Sequence, residues 1–195
     1  MSENAILMIE RFFRSRWIVD RYRNERSKLA EARVGCVCDD PTKIVIGLGG
    51  GMLGRSHPAL INLNIKQFDD VDLVADAHRI PLRDQSVDGV HCGAVFEHFQ
   101  DPQEAAAELF RVMKPGALYQ GTMLPTRNIN YGKGRAVAPG TFVVDGSERG
   151  HPHFYCDPAT LVALFAGFEL LSVKQQLQRK PGSWHWHVIA ERPPQ

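Results

Sequence analysis

The chain has 195 residues, of which 44% are hydrophobic and 23% are charged, a composition that suits one soluble domain with a sizeable core. Its formal net charge of +1 gives no general attraction to nucleic acid or to an acidic membrane, so neither is expected as a partner. No apolar run reaches the length of a membrane span, and the N-terminus lacks the apolar centre of a signal peptide. The cysteine spacing matches neither a zinc site nor a secreted disulfide framework, so we expect reduced thiols in a cytoplasmic protein.

The first 40 residues predict a helix followed by a linker. Apolar residues recur at helical spacing between arginines, at Ile6, Ile9, Phe13 and Trp17. This pattern favours a helix that docks on the domain and ends near Arg33; a helix that binds a membrane surface or a partner is the alternative. Residues 35–42 form the expected linker. The chain therefore divides into a lead-in at 1–40 and one domain at 41–195.

From Lys43 onward, short apolar runs alternate with helical patterns, which predicts a mostly parallel sheet. The predicted strands are 43–48, 60–65, 72–75, 87–94, 117–123, 168–175 and 184–191. Two predicted helices begin with an aspartate and a proline, at Asp101 and at Asp157. Gly116 and Gly167 mark their ends.

Glycines follow the first predicted strand directly. The apolar run Ile44-Val45-Ile46 leads into Gly47-Leu48-Gly49-Gly50-Gly51. Glycine lets the backbone turn sharply and approach a ligand closely, and open α/β sheets bind nucleotides where a strand turns into a helix. The sequence therefore predicts a nucleotide or nucleoside site at this turn.

Four segments, taken in their order along the chain, resemble the class I S-adenosylmethionine-dependent methyltransferases. They are the glycine turn 45–51, Asp76-Ala77-His78-Arg79-Ile80-Pro81, Phe96-Glu97-His98 with Asp101-Pro102, and the stretch 108–116 that ends in Lys-Pro-Gly. The resemblance runs from about residue 43 to 191 and is strongest to a branch with a short first helix. It implies an α/β, Rossmann-like, doubly wound sheet of seven strands with the last strand antiparallel. It also implies S-adenosylmethionine as the cofactor and a small-molecule or glycan-like methyl acceptor.

The resemblance implies a donor site at the carboxyl ends of the strands. Its residues would be Gly47, Gly49, Gly51, Asn64, Asp76, Ala77 and Gly93. Asp76 would accept a hydrogen bond from the adenine amine, and glycine N–H groups would face the carboxylate of the donor. Val45 and Asn64 stand where the family carries acids. Because an amide accepts a hydrogen bond but carries no charge, we expect a lower donor affinity.

The acceptor site is expected in the long connection 124–156, which shows no clear element and is typical of a lid or binding loop. It contains His151-Pro152-His153, which resembles a His-Pro segment of the short-helix branch. A neutral histidine suits a general base, so His151 and His153 are the first candidates and His98 is the third. His98 has the alternative of bonding only to backbone at the end of its strand.

Three other hypotheses stay open. Pairs of histidines at 151/153, with Cys156, and at 185/187 allow zinc binding, but strand alternation alone produces such pairs, so no metal is assigned. Gly49, Gly51 and Gly54 also match a dinucleotide fingerprint, which needs a full helix and a ribose-binding acid that the sequence does not provide. The missing acids at Val45 and Asn64 favour a non-catalytic methyltransferase-like domain. The oligomeric state is left open.

Overall fold

The computed structural model describes residues 16–49, 60–144, 150–178 and 180–194. The helices within these ranges are α1 (Arg16–Asp39), α2 (Pro102–Val112) and α3 (Pro158–Leu164), together with a short 3₁₀ turn at Phe96–His98. The strands are β1 (Val45–Leu48), β2 (Leu60–Asn64), β3 (Leu73–Val74), β4 (Val87–Cys92), β5 (Met113–Pro125), β6 (Arg135–Ala138), β7 (Thr141–Val143), β8 (His153–Cys156), β9 (Glu169–Leu177) and β10 (Trp184–Glu191).

Among the described residues, seven strands form the central sheet, in the order β3-β2-β1-β4-β5-β10-β9, and β8, β7 and β6 extend it from the end of β5. Strands β1 to β5 pair in parallel, whereas β10 runs antiparallel to both β5 and β9. The predicted seven-stranded α/β sheet with an antiparallel last strand is therefore confirmed. The carboxyl ends of the parallel strands meet at one edge, where a sheet of this type binds its ligands.

Helices cover both faces of the sheet. On one face, Ile46, Val90 and Tyr119 belong to a core that also contains Leu109 of α2 and Phe165 beside α3. On the other face, α1 and strands β1, β4 and β5 together line a small cavity. No helix among the described residues combines the length and the apolar character of a membrane span.

The predicted helix starts are confirmed. Asp101 Oδ1 accepts a hydrogen bond from Glu104 N at 2.9 Å, and Asp157 Oδ1 accepts one from Thr160 N at 2.7 Å. Both aspartates therefore satisfy a backbone N–H group that the first turn of a helix leaves unpaired. Gly167, at φ 93°, lies three residues after α3, in a conformation that favours glycine.

The predicted linker is wrong at its start, because α1 continues through Gly35 to Asp39. A Cβ atom at Gly35 would meet nothing within 4 Å, so this position has no packing role. Val34 and Val37 line the cavity against the sheet. Packing of these two half-buried valines offsets the helix penalty of one glycine, about 1 kcal/mol.

The connection 124–156 also differs from the prediction, because its described residues include three strands. Strands β6 and β7 form an antiparallel hairpin, β7 pairs antiparallel with β8, and β8 pairs in parallel with the end of β5. Gly140 makes the hairpin turn at φ 68°. Ring contacts hold the hairpin on β8, with centroids 5.4 Å apart for Tyr131 and Phe142 and 6.1 Å apart for Phe142 and Tyr155.

Candidate functional site

One segment links the glycine turn, the Asp76 turn and the candidate bases. It runs from residue 93, after β4, to residue 101, before α2, and we call it the 93–101 connection. At its beginning, Val95 packs against the glycine turn. Gly49 has φ 70°, and a Cβ atom there would lie 2.3 Å from Val95 Cγ2, so only glycine fits. Gly49 N also donates to Leu63 O at 2.8 Å, which ties the turn to β2.

Gly47 has a different environment from Gly49. It lies inside β1, is buried, and faces β2, where a Cβ atom would come within 2.6 Å of Leu60 Cδ2 and 3.2 Å of Asn62 Oδ1. The structure therefore explains this glycine by strand packing, and its role toward a ligand stays a prediction. Gly51 lies outside the described residues.

The backbone at the end of β4 is strained. Ala94 has φ 55°, a left-handed conformation that costs a residue with a side chain about 1–3 kcal/mol. Its N–H donates to Thr122 Oγ1 of β5 at 2.8 Å. Gly93 and Ala94 are both exposed at the carboxyl edge of the sheet. Neither Ala94 nor Thr122 was expected from the sequence, because alanine gives no signal for a left-handed conformation.

Asp76 lies two residues after β3, and 52% of its side chain is exposed. Its Oδ1 atom accepts two hydrogen bonds from His78, one from the backbone N–H at 2.9 Å and one from the ring Nδ1 at 2.6 Å. These bonds lower the pKa of Asp76 below its usual value, the backbone bond being the larger cause. Asp76 is therefore an ionised acceptor near neutral pH. Ala77, beside it, is buried.

Two residues of α2 clamp the chain just after Asp76. Glu108 Oε1 accepts from Ile80 N at 2.7 Å, and Arg111 Nη2 donates to Ile80 O at 2.9 Å. Arg111 Nη2 also donates to Glu108 Oε1 at 2.6 Å, and this partner lowers the pKa of Glu108. The turn that carries Asp76 is thus fixed to α2. Sequence reasoning placed Glu108 and Arg111 in a family-like helix but gave them no role in the site.

The two positions that lack the expected acids are both buried. Asn64 ends β2, and its Oδ1 atom accepts a hydrogen bond from Lys66 N at 3.1 Å, which closes a local turn. Val45 is buried in β1 and pairs with Gly89 of β4. The amide oxygen of Asn64 is therefore engaged within its own strand end.

The structure brings the three candidate bases together, and we call them the histidine cluster. The ring centroid of His98 lies 4.7 Å from that of His153 and 6.4 Å from that of His151. His153 is buried in β8, His98 is half-buried, and His151 is exposed. The histidine cluster joins the end of the 3₁₀ turn to the strand that follows the hairpin.

One hydrogen bond assigns the tautomer of His98. Its Nδ1 atom lies 3.3 Å from Pro152 O. Because a carbonyl can only accept, Nδ1 carries the proton, and the lone pair of the neutral ring lies on Nε2. His98 therefore bonds to backbone, but to Pro152 in front of β8 and not at the end of its own strand, and Nε2 is the basic atom of the neutral ring.

The proposed metal ligands are not arranged as a metal site. In the described ranges, no three His, Cys, Asp or Glu side chains have a geometry that could hold a metal ion. Cys156 is buried, which raises the pKa of its thiol to about 12. His185 and His187 lie on β10, where burial lowers the pKa of both rings.

Comparison with known proteins shows a similarity to methyltransferases. Residues 55–119 match the family model described as a methyltransferase domain. An uncharacterised methyltransferase of Schizosaccharomyces pombe is 34% identical over 101 residues, which cover 51% of this chain and 40% of the yeast protein. The match thus spans less than half of that relative.

Solved structures share the fold. A methyltransferase of Methanosarcina mazei has a TM-score of 0.66 at 15% identity, over 83% of this chain and 98% of that chain. The 1,6-didemethyltoxoflavin N1-methyltransferase of Burkholderia thailandensis, solved with its acceptor and S-adenosylhomocysteine, has a TM-score of 0.60 at 12% identity, over 97% and 86% of the two chains. Residues 55–119 thus match a methyltransferase domain, and the chain shares the fold of S-adenosylmethionine-dependent methyltransferases.

Proposed function

We propose that this chain transfers a methyl group from S-adenosylmethionine to a hydroxyl group of a small-molecule or glycan-like acceptor. One observation carries the proposal: the 93–101 connection joins the glycine turn and the Asp76 turn to the histidine cluster. Val95 contacts Gly49 at its beginning, and His98 contributes to the histidine cluster near its end. This arrangement supports a donor site and a base at the same edge of the sheet.

The described residues fit the chemistry of S-adenosylmethionine. Asp76 presents an ionised carboxylate that is half exposed and fixed by two hydrogen bonds, which suits an adenine amine. Ala77 would lie beside the adenine ring. Gly49 permits a close backbone approach for the amino-acid part of the donor. The Burkholderia structure, which holds S-adenosylhomocysteine, supports the same donor here.

The cofactor supplies an electrophilic methyl group, so the protein has to position the acceptor and remove a proton. The hydroxyl proton of the acceptor would pass to a ring nitrogen of the histidine cluster as the new O–CH₃ bond forms. The S–CH₃ bond of the sulfonium would break at the same time, with S-adenosylhomocysteine as the leaving group. His98 Nε2 is one such atom, because Nδ1 donates to Pro152 O. His151 and His153 remain the first candidates.

The finer parts of the proposal are the acceptor and the compartment. The toxoflavin relative acts on a small molecule, and the net charge of +1 gives no field that would collect nucleic acid. All four cysteines are free, two of them buried. This state suits a reducing compartment such as the cytoplasm.

A binding experiment tests the donor site, and a transfer experiment tests the reaction. In calorimetric titrations of the whole chain, S-adenosylmethionine and S-adenosylhomocysteine are expected to bind, whereas NAD is not. Incubation with methyl-labelled S-adenosylmethionine and a mixture of hydroxylated metabolites and glycans should then give a labelled product in mass spectrometry. Binding of NAD alone, or of no adenosyl ligand, would overturn the proposal.

A second candidate function is a non-catalytic methyltransferase-like domain. Asn64 favours it, because its amide oxygen is engaged by Lys66 N and carries no charge for the ribose hydroxyls. Val45 favours it too, since it is buried and apolar where the family carries an acid. This candidate predicts donor binding without transfer to any acceptor in the mixture, whichever histidines are replaced.

A further inference from the structure

His78 lies between Asp76 and Asp101 in a chain of hydrogen bonds. The methyl transfer proposed above gives His78 no role. Its ring Nδ1 lies 2.6 Å from Asp76 Oδ1, and its Nε2 accepts from Asp101 N at 3.3 Å. The ring also packs edge-on against Phe99, with centroids 5.6 Å apart. Only 15% of the His78 side chain is exposed, against 52% for Asp76. The ring is therefore held more firmly than the carboxylate that it contacts.

These contacts allow one tautomer of the neutral ring. The backbone N–H of Asp101 can only donate, so Nε2 has to carry a lone pair, and Nδ1 then carries the proton. An Nδ1–H group donates to the ionised carboxylate of Asp76. The hydrogen bond is charge-assisted, a type about twice as strong as a neutral one.

Both contacts from His78 reach the same oxygen of Asp76. The backbone N–H and the ring Nδ1 each bond to Oδ1, from two directions. Two bonds to one oxygen fix the rotation of the carboxylate as well as its position. They also lower the pKa of Asp76, which keeps the group an acceptor.

We propose that His78 is a positioning residue for adenine recognition: it orients the Asp76 carboxylate so that Oδ2 accepts from the exocyclic amine of the donor. The inference rests on the proposed function and deepens it. Because a carboxylate can only accept, a fixed Asp76 favours a 6-aminopurine and repels the carbonyl oxygen of a 6-oxopurine. His78 thus contributes to the choice of base without touching the ligand.

The test compares two ligands in five proteins. The ligands are S-adenosylhomocysteine and S-inosylhomocysteine, which differ in the amine that Asp76 would bind. The proteins are the wild type, His78→Ala, His78→Asn, His78→Gln and Arg83→Ala, the last being a control at an exposed position nearby. The amide nitrogen of asparagine can occupy the place of Nδ1, whereas alanine offers no donor.

The wild type is expected to prefer the adenosyl ligand. In His78→Ala, the affinity for the adenosyl ligand should fall about tenfold, the scale of one lost hydrogen bond to a charged group. Affinity for the inosyl ligand should barely change, so the preference narrows. His78→Asn should restore most of the preference, and Arg83→Ala should leave it as in the wild type. His78→Gln, whose amide reaches toward Nε2 and not Nδ1, should behave like His78→Ala and gives a second variant of similar size.

The outcomes distinguish a failure of the role of His78 from a failure of the proposed donor site. If the wild type binds neither ligand, the proposed donor site fails, and this inference fails with it. If the wild type prefers the adenosyl ligand and His78→Ala and His78→Gln keep that preference, only the role of His78 is overturned. An equal loss for both ligands with a lower melting temperature would also overturn it, because a merely structural histidine gives that result.

Discussion

At the scale of single residues, Asp76 provides the most direct test of the donor site. Asp76→Ala is expected to weaken S-adenosylhomocysteine binding by about 1–3 kcal/mol, the range for losing a hydrogen bond to a charged group. Calorimetric titration measures the change, and Asp69→Ala, at an exposed aspartate in a neighbouring loop, is the control. Unchanged affinity in Asp76→Ala would show that the adenine lies elsewhere.

Asn64 permits a test in the opposite direction. Asn64→Asp keeps an oxygen that can accept from Lys66 N and adds a negative charge at the end of β2. Because charged acceptors form stronger hydrogen bonds than amides, we expect donor affinity to rise severalfold, about 1 kcal/mol. The titration should be compared with that of 2′,3′-dideoxy donor analogues, which should gain nothing. Weaker binding of the intact donor would contradict a ribose contact at this position.

The histidine cluster predicts a separation of rate from binding. One of His98, His151 and His153 is expected to be the general base. Replacing that histidine with alanine should lower the turnover rate of the enzyme by about 10²–10⁴ and leave donor affinity nearly intact. His185→Ala, on β10, is a control outside the cluster. Rates measured at saturating donor distinguish the three positions. Full activity in all three variants would mean that no histidine acts as the base, and that the enzyme works only by holding donor and acceptor close together.

The sequence identified these residues one at a time, and it could not show which of them meet. His98 lies more than fifty positions from His151 and His153, so their contact depends on how β8 returns to the sheet. His78 gave no signal beyond its place in a motif, since its role depends on a bond to Asp101 N across the turn. The left-handed backbone conformation of Ala94 could not be predicted either, because it depends on tertiary contacts.

At the scale of elements, local chemistry was easier to predict than pairing. Asp101 and Asp157 predicted the starts of their helices, because a capping hydrogen bond joins residues only three positions apart. Strand β6 gave no signal, because all four of its residues are exposed and no apolar alternation marks it. The extension of α1 through Gly35 was missed because a glycine suggests an end, while packing on the sheet keeps the helix intact.

The clamp between α2 and the Asp76 turn leads to a prediction about pH. Glu108 accepts from Ile80 N and Arg111, and Arg111 lowers its pKa below the ordinary value. Its folded-state pKa is thus below that of the unfolded chain, so its contribution is present above the unfolded value and is lost as pH falls through the folded one. Glu108→Gln should lower the free energy of unfolding at pH 7 by about 1–2 kcal/mol.

The difference between Glu108→Gln and the wild type should narrow as the pH falls below about 4.3, the ordinary value for glutamate. Denaturant unfolding at several pH values measures it. Glu104→Gln, at an exposed position on the same helix, should show no comparable loss. A difference that stays constant down to pH 3 would mean that the Glu108 carboxylate gains nothing from the clamp.

At the scale of the whole molecule, the seven-stranded sheet and the docking of the N-terminal helix were predictable, whereas the partners that hold α1 were not. The alternation of elements follows from the chain order of apolar runs, whereas α1 is held by residues far away in sequence. Arg33 donates two hydrogen bonds to Glu191 of β10, at 2.7 and 2.9 Å, across 158 positions. Lys174 of β9 donates to Glu31 at 2.7 Å. No local pattern could indicate these partners.

The pair of Arg33 and Glu191 is the stronger attachment, because it is bidentate and only 12% of the Glu191 side chain is exposed. Glu191→Gln should therefore destabilise the protein by about 1 kcal/mol, and the exposed pair of Lys174 and Glu31 should contribute less, about 0–1 kcal/mol. A double-mutant cycle with Arg33→Gln measures the coupling, and Glu31→Gln with Lys174→Gln gives the matched control cycle.

If this pair fastens α1 to the sheet, limited proteolysis should cut within residues 16–39 faster in Glu191→Gln than in the wild type, and 1 M salt should accelerate the cut in the wild type as well. Donor affinity should change little, because the pair lies away from the carboxyl edge that carries Asp76 and the histidine cluster. A zero coupling energy with unchanged proteolysis would show that apolar contacts, such as those of Val34 and Val37 around the cavity, hold α1 by themselves.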